Sequence, residues 1–98
     1  MLVQFSAHSH SKPTLLRIAD GEKSAVEDCV NQYGKLIWAL AKTFSSTTVD
    51  AEAAVLEIFN DIWEHAARFD ASKIKESEFI VQIAQRRLIK RKYKVVTS

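Results

Sequence analysis

Turn-forming residues are unusually scarce in this chain. Its 98 residues include only two glycines, Gly21 and Gly34, and one proline, Pro13. Folds built from many short strands need more of both, because glycine and proline supply the backbone conformations of tight turns. Apolar residues, 47% of the chain, recur at three- and four-residue steps, the spacing of one buried helical face. We therefore predict an all-α fold, a small bundle of three to four helices in one domain.

The positions of the breaks in this pattern predict the organisation of the chain. Residues 1–12 show no sustained period and are predicted to be a flexible N-terminal arm. The helical domain is predicted over residues 13–94, followed by a short tail over residues 95–98. Within the domain, helices are predicted over residues 13–19, 22–44, 49–68 and 76–94.

Two of the predicted helices have a clear apolar face. In the second helix it comprises Val26, Cys29, Val30, Tyr33, Ile37, Leu40, Ala41 and Phe44. In the third helix it comprises Val55, Ile58, Phe59, Ile62, Trp63 and Ala66. Thr48 or Asp50 is predicted to cap the third helix. Its position on an apolar face predicts that Cys29 is a buried thiol rather than a nucleophile.

Several classes of function are excluded or disfavoured by what the chain lacks. No catalytic constellation or glycine-rich phosphate loop is visible, and His8 and His10 in the arm do not make a metal site, so we expect no catalysis, cofactor or metal. The longest apolar run, residues 36–41, is far shorter than the roughly 20 residues of a membrane span. No secretory signal opens the chain, and its single cysteine fits a reducing cytoplasm.

The net charge of +2 conceals a strong separation of charges. Residues 86–94 carry six cations and no acid. Residues 49–67 carry five acids and no Lys or Arg: Asp50, Glu52, Glu57, Asp61 and Glu64. We expect the two segments to meet different partners. An acidic helix face is either a docking surface for a basic partner or simply a solvated face.

The basic segment occupies positions where the apolar face of the fourth helix would continue. The helical period extends that face from Ile83 and Ala84 onto positions that hold cations, and burying cations is costly. We therefore predict that the last two turns leave the core and present a basic face. Loop cations close to an aromatic ring suit single-stranded nucleic acid. The predicted DNA-binding residues are Lys73, Lys75, Phe79, Arg86, Arg87, Lys90, Arg91 and Lys94.

The order of these segments resembles conserved region two of bacterial RNA polymerase sigma factors, most closely the extracytoplasmic-function (ECF) subfamily. The resemblance covers about residues 15–94. The motifs that carry it are an Asp-Ala-Glu start at residues 50–52, then Glu57, Phe59 and Trp63, then Phe69-Asp70, and the Ile83-Ala84 pair before basic residues.

The resemblance implies a helical domain that binds two partners and performs no bond chemistry. The helix over residues 50–64 is expected to dock on the coiled coil of the β′ subunit of core RNA polymerase. Residues 69–94 are expected to recognise and open the minus-ten element of promoter DNA, holding a flipped base of the partly single-stranded non-template strand. An anti-sigma factor is a further candidate partner. The implied polymerase-binding residues are Asp50, Glu52, Leu56, Glu57, Asn60, Asp61 and Glu64.

Departures from the family pattern keep other functions open. Ala53 and Leu56 stand where the family has Asp and Gln, and Arg86 and Lys90 stand where it has Asn and Asp. Complete sigma factors of this subfamily carry a second, helix-turn-helix domain, so we expect either an excised domain or a stand-alone protein. A stand-alone chain is expected to regulate transcription negatively, by competing for polymerase or sequestering a regulator. A third alternative is a basic helix that binds a DNA major groove.

Overall fold

The structure, a computed structural model, describes residues 12–97, with side chains described as far as residue 93. Its helices are α1 (Thr14–Ala19), α2 (Lys23–Phe44), α3 (Thr48–His65) and α4 (Glu76–Thr97), with a 3-10 turn at Ala66–Arg68 after α3. No strand occurs among the described residues, which confirms the predicted all-α fold. Helix α4 continues through residues assigned from the sequence to a tail, and the predicted arm, apart from Lys12, lies outside the described residues.

Short polar segments end one helix and begin the next. Gly21, between α1 and α2, has a φ of 86°, in the left-handed region that favours glycine. Thr47 caps α3, and its side-chain oxygen accepts a hydrogen bond from the Asp50 backbone N–H at 3.0 Å. The prediction that Thr48 or Asp50 is the cap was wrong, because Thr48 is already helical and Thr47 is the last residue with extended backbone.

The core lies between α2, α3 and α4. In α2 the buried residues recur every fourth position and form a narrow stripe: Ala25, Cys29, Tyr33, Ile37 and Ala41. The prediction that Val26, Val30 and Phe44 are core residues was wrong, because each is more than a third exposed. Ile58 and Ile62 of α3 and Ile80 of α4 are fully buried and complete the centre of the core.

Glu76, the first residue of α4, joins three helices. Its Oε2 accepts a hydrogen bond from the Leu15 backbone N–H at 2.8 Å, and its Oε1 accepts one from the Tyr33 hydroxyl at 2.7 Å. The Leu15 N–H lies in the first turn of α1, where backbone donors have no partner within the helix. A carboxylate at the start of α4 is also favoured by the helix dipole. Glu76 therefore fixes the start of α4 relative to α1 and α2.

Candidate functional site

A two-point ion pair joins α3 to α4. Arg87 donates from Nε to Asp61 Oδ2 at 2.7 Å and from Nη2 to Asp61 Oδ1 at 2.8 Å. This is the geometry in which a planar guanidinium matches a carboxylate best. The Asp61 side chain is only 14% exposed. The pair is therefore shielded from solvent far more than an ordinary surface ion pair.

One turn further along α4, Arg91 bridges two more acids of α3. Its Nη1 lies 2.8 Å from Glu57 Oε1, and its Nη2 donates to the Asp50 carboxylate. Glu57 Oε1 also lies 3.9 Å from Arg87 Nη1, which links the two arginines through one carboxylate. These five residues, Asp50, Glu57, Asp61, Arg87 and Arg91, are called the α3–α4 ion-pair network below.

The network overturns part of the prediction for the end of α4. The last turns were expected to leave the core and turn their cations to solvent. Instead the side chains of Arg87 and Arg91 are 30% and 21% exposed, and Leu88 between them is buried. The prediction counted the cost of burying cations but not the acids that offset it. Hydrogen bonding to Asp61 raises the pKa of Arg87, and hydrogen bonding to Glu57 does the same for Arg91, so both remain charged.

The remaining predicted docking residues lie on the outer side of α3. Leu56 is 72% exposed, against 38% for Leu36 on α2. Val49 is similarly exposed and lies two turns before Leu56 on the same side of the helix. Val49 was not among the residues predicted from the sequence, although its seven-residue spacing from Leu56 places both on one side of the helix. This surface, called the outer face of α3, comprises Val49, Glu52, Ala53, Leu56, Asn60 and Glu64, all exposed.

The predicted DNA-binding residues also divide into two groups. Arg86 and Lys90 are exposed on α4. Their side chains have no ion pair or hydrogen bond with any other residue in the described part of the chain. Because they are four residues apart, they lie on one side of the helix and are called the exposed cation pair. Lys92 is exposed too and was not among the predicted contacts, whereas the side chain of Lys94 lies outside the described region.

The loop before α4 presents two more cations. Asp70 Oδ1 accepts hydrogen bonds from the backbone N–H and the hydroxyl of Ser72, at 3.0 and 2.6 Å, and these bonds lower the pKa of Asp70. The Lys73 N–H then donates to the Asp70 carbonyl at 3.0 Å, which closes a tight turn. The side chains of Lys73 and Lys75 are exposed. The loop therefore presents its cations from a hydrogen-bonded turn.

Phe79 lies beside this loop, in the first turns of α4. Its ring is half-buried, and its centroid lies 5.3 Å from that of Phe69, with the ring planes tilted by 54°. Phe69 itself is buried. Phe69 therefore packs against the Phe79 ring at the start of α4.

Three further properties of the described residues concern metal ions, the thiol and the membrane. The described residues contain no cluster of side chains able to hold a metal ion. The thiol of Cys29 is buried, and burial, together with the Glu76 charge, raises its pKa to about 12. None of the described helices is long and apolar enough to pass through a bilayer. The described surface also presents exposed cations, a half-buried aromatic ring at Phe79 and an exposed helix face with apolar and acidic residues.

Comparison with known proteins identifies the family. The model of the sigma-70 region 2 family matches residues 29–94, about two thirds of the chain, from the second turn of α2 into the last turns of α4. No curated protein and no solved structure matches the chain. The matched span contains the outer face of α3, the ion-pair network and the exposed cation pair. The chain therefore belongs to the sigma-70 region 2 family.

Proposed function

We propose that this domain acts in transcription initiation as region two of a sigma factor. It binds core RNA polymerase and promoter DNA, recognises and opens the minus-ten element, and performs no catalysis. The observation that carries the proposal is that neighbouring helices of a sigma-70 region 2 domain expose a partly acidic, partly apolar face on α3 and a basic face on α4. The two surfaces suit a basic protein and a polyanion respectively.

The outer face of α3 is the proposed polymerase-binding surface. Glu52 and Glu64 supply negative charge toward the basic coiled coil of the β′ subunit, and Asn60 supplies a hydrogen-bonding amide. Leu56 supplies an apolar contact at a position where the family has Gln. Because Leu56 is already 72% exposed, its burial on docking costs no rearrangement of the domain. Asp50, Glu57 and Asp61 support this surface from the ion-pair network.

The exposed cations are the proposed DNA-binding surface. Arg86 and Lys90 on α4, with Lys73 and Lys75 in the loop, neutralise phosphates of the non-template strand, and Lys94 extends the basic segment. The accessible part of Phe79 offers a stacking surface for an unpaired base. Binding of exposed bases favours the open form of the promoter, so the domain opens DNA by selecting that form.

Finer parts of the proposal depend on the resemblance in sequence. They are membership of the ECF subfamily, residence in the bacterial cytoplasm and control by an anti-sigma factor. The Asp-Ala-Glu start of α3 and the Ile83-Ala84 pair support the subfamily assignment. The outer face of α3 is exposed, and an inhibitor that covered it would block polymerase.

Retention of DNA by polymerase tests the proposal. A labelled single-stranded oligonucleotide pool is mixed with core polymerase, and the chain is titrated in while anisotropy is followed. We expect saturable retention that requires the chain and favours single strands over duplexes of the same sequences. The matched control is the double variant Arg86→Gln/Lys90→Gln, which should bind polymerase but lose most of the retention. Retention that is the same without the chain contradicts the proposal.

A further inference from the structure

We infer that Arg87 and Arg91 are positioning residues, which hold α4 in the orientation that presents the exposed cation pair to DNA. The sequence placed both arginines among the DNA contacts. The structure instead points to a division of labour between adjacent cations: one pair binds α3 and the other binds phosphates. This inference rests on the proposed DNA-binding function and assigns roles within that same surface.

The Nε and Nη2 groups of Arg87 are already bound to an acid of α3. Its Nε and Nη2 both donate to Asp61, and its Nη1 lies near Glu57. If the guanidinium turned from Asp61 toward a phosphate, it would give up two charge-assisted hydrogen bonds. Asp61, with 14% of its side chain exposed, would be left as a poorly solvated, unpaired carboxylate. Both consequences oppose the use of Arg87 as a DNA contact.

Arg91 is held in the same way. Its Nη1 is paired with Glu57, and its Nη2 donates to the Asp50 carboxylate and lies 3.4 Å from the Asp50 carbonyl oxygen. Its side chain is 21% exposed, less than that of either acid partner. Three α3 carboxylates therefore surround two α4 guanidinium groups, which leaves the network itself with a net charge of −1.

The exposed cation pair lies on an adjacent strip of α4. Arg86 precedes Arg87 and Lys90 precedes Arg91, and consecutive residues of a helix point about 100° apart. Fixing the strip that holds the arginines therefore fixes the direction of the strip that holds Arg86 and Lys90. Both pairs have the same four-residue spacing, so the relation holds over a full turn of the helix.

Apolar packing alone does little to fix the orientation of this part of α4 relative to α3. Leu88 is buried there, but Ile89 is 49% exposed. The ion pairs of Arg87 and Arg91 add direct contacts between the polar sides of α3 and α4 in these turns. A positioning role predicts that DNA binding depends on the acids of α3 as well as on the cations of α4.

Neutralising Asp61 distinguishes a positioning role of Arg87 from direct DNA contact, because the two roles predict opposite changes in DNA affinity. The test measures affinity for a labelled single-stranded oligonucleotide at several salt concentrations, with Asp61→Asn compared with Glu64→Gln, an exposed acid one turn away. A positioning role predicts that Asp61→Asn binds at least threefold more weakly than Glu64→Gln, although both variants lose one negative charge. Direct contact predicts the opposite order, because Asp61→Asn releases Arg87 toward phosphate. Equal or tighter binding by Asp61→Asn overturns the inference.

A charge swap provides a second, independent measurement. Asp61→Arg combined with Arg87→Asp keeps an ion pair between the helices but puts an acid on α4. We expect the swap to recover at least half of the DNA affinity that Arg87→Gln loses. Its slope of log affinity against log salt should lie within about 0.3 of the slope for the unaltered chain. A swap that folds, by circular dichroism, yet binds more weakly than Arg87→Gln overturns the inference.

Failure of the proposed function gives a different result. Arg86→Gln/Lys90→Gln is expected to reduce the slope of log affinity against log salt by about 1.4, since each phosphate contact on a single strand contributes about 0.7. An unchanged affinity and slope in this double variant would overturn the proposed DNA surface, and the inference with it. If this variant behaves as expected while Asp61→Asn binds as well as Glu64→Gln, only the positioning role fails.

Discussion

Asp61 of α3 and Arg87 of α4 form a two-point ion pair, with both nitrogen–oxygen distances below 3 Å. Twenty-six residues separate them in the sequence, one in the acidic segment and the other in the basic segment. Part of each charged segment therefore pairs within the domain. Other members, among them Glu52, Glu64, Arg86 and Lys90, remain exposed.

Loss of the Arg87 side chain is expected to destabilise the domain. Arg87→Gln should lower the free energy of unfolding by about 1–3 kcal/mol, because Asp61 loses both hydrogen bonds in a partly buried position. The matched control is Arg86→Gln, an exposed neighbour expected to change stability by less than about 0.5 kcal/mol. Urea denaturation followed by circular dichroism measures both. Equal effects would mean that the ion pair contributes no stability.

Leu56 is expected to contribute to polymerase binding and not to folding. Leu56→Ser should weaken binding to core polymerase by about tenfold, roughly 1.4 kcal/mol, because an apolar contact is lost. It should leave thermal stability unchanged, because 72% of the side chain is already exposed. Val30→Ser, at an exposed position on α2, is the control and should bind normally. Normal binding by Leu56→Ser would place the polymerase interface elsewhere.

Cys29 is expected to resist alkylation in the folded protein. Burial and the Glu76 charge raise its pKa to about 12, so at pH 8 its thiolate is about a thousandfold rarer than at an ordinary pKa of 9.0. Iodoacetamide labelling followed by mass spectrometry should therefore be at least 100-fold slower in buffer than in 6 M guanidinium. Comparable rates in the two conditions would contradict the closed packing of α2.

Stability is expected to fall at alkaline pH. Burial is the main cause that raises the pKa values of Cys29 and Tyr33 in the folded state, and hydrogen bonding to Glu76 adds to it for Tyr33. Each group therefore favours folding while it is protonated, and that contribution is lost as pH rises above its unfolded value, near 9.0 for Cys29 and 10.0 for Tyr33.

Chemical denaturation at several pH values measures this dependence. Between pH 9 and 10, where Cys29 dominates, the free energy of unfolding should decrease by up to about 1.4 kcal/mol per pH unit. Cys29→Ala should remove most of that slope while keeping the Tyr33 contribution above pH 10. A flat profile in both proteins would contradict the proposed burial of these groups.

The apolar periodicity of the sequence was enough to predict the class of fold and the positions of the helices. It did not predict how wide each buried face is. Val26 and Val30 have the correct helical spacing for a core face, yet the buried stripe of α2 follows only the four-residue steps through Cys29 and Tyr33. The width of a buried face depends on how neighbouring helices cross, which periodicity within one helix does not report.

The sequence also did not predict which charged residues pair with one another. Glu57 and Asp61 are four residues apart, as are Arg87 and Arg91, so the sequence held a complementary pattern. Which helices are neighbours, and in what register, is set by tertiary packing. The same applies to Glu76, whose hydrogen-bond partners Leu15 and Tyr33 lie 61 and 43 residues away. The two charged segments were therefore interpreted separately, and all their charged residues except Lys92 were assigned to outside partners.

Binding of the purified chain to bacterial core polymerase tests the central claim most directly. The chain is labelled and its fluorescence anisotropy is followed at physiological salt as polymerase is added. We predict saturable binding at micromolar or lower concentration that a complete ECF sigma factor displaces. Absence of binding at micromolar polymerase, by a chain with normal helical content, would contradict the sigma-factor function and favour a regulator that binds other proteins.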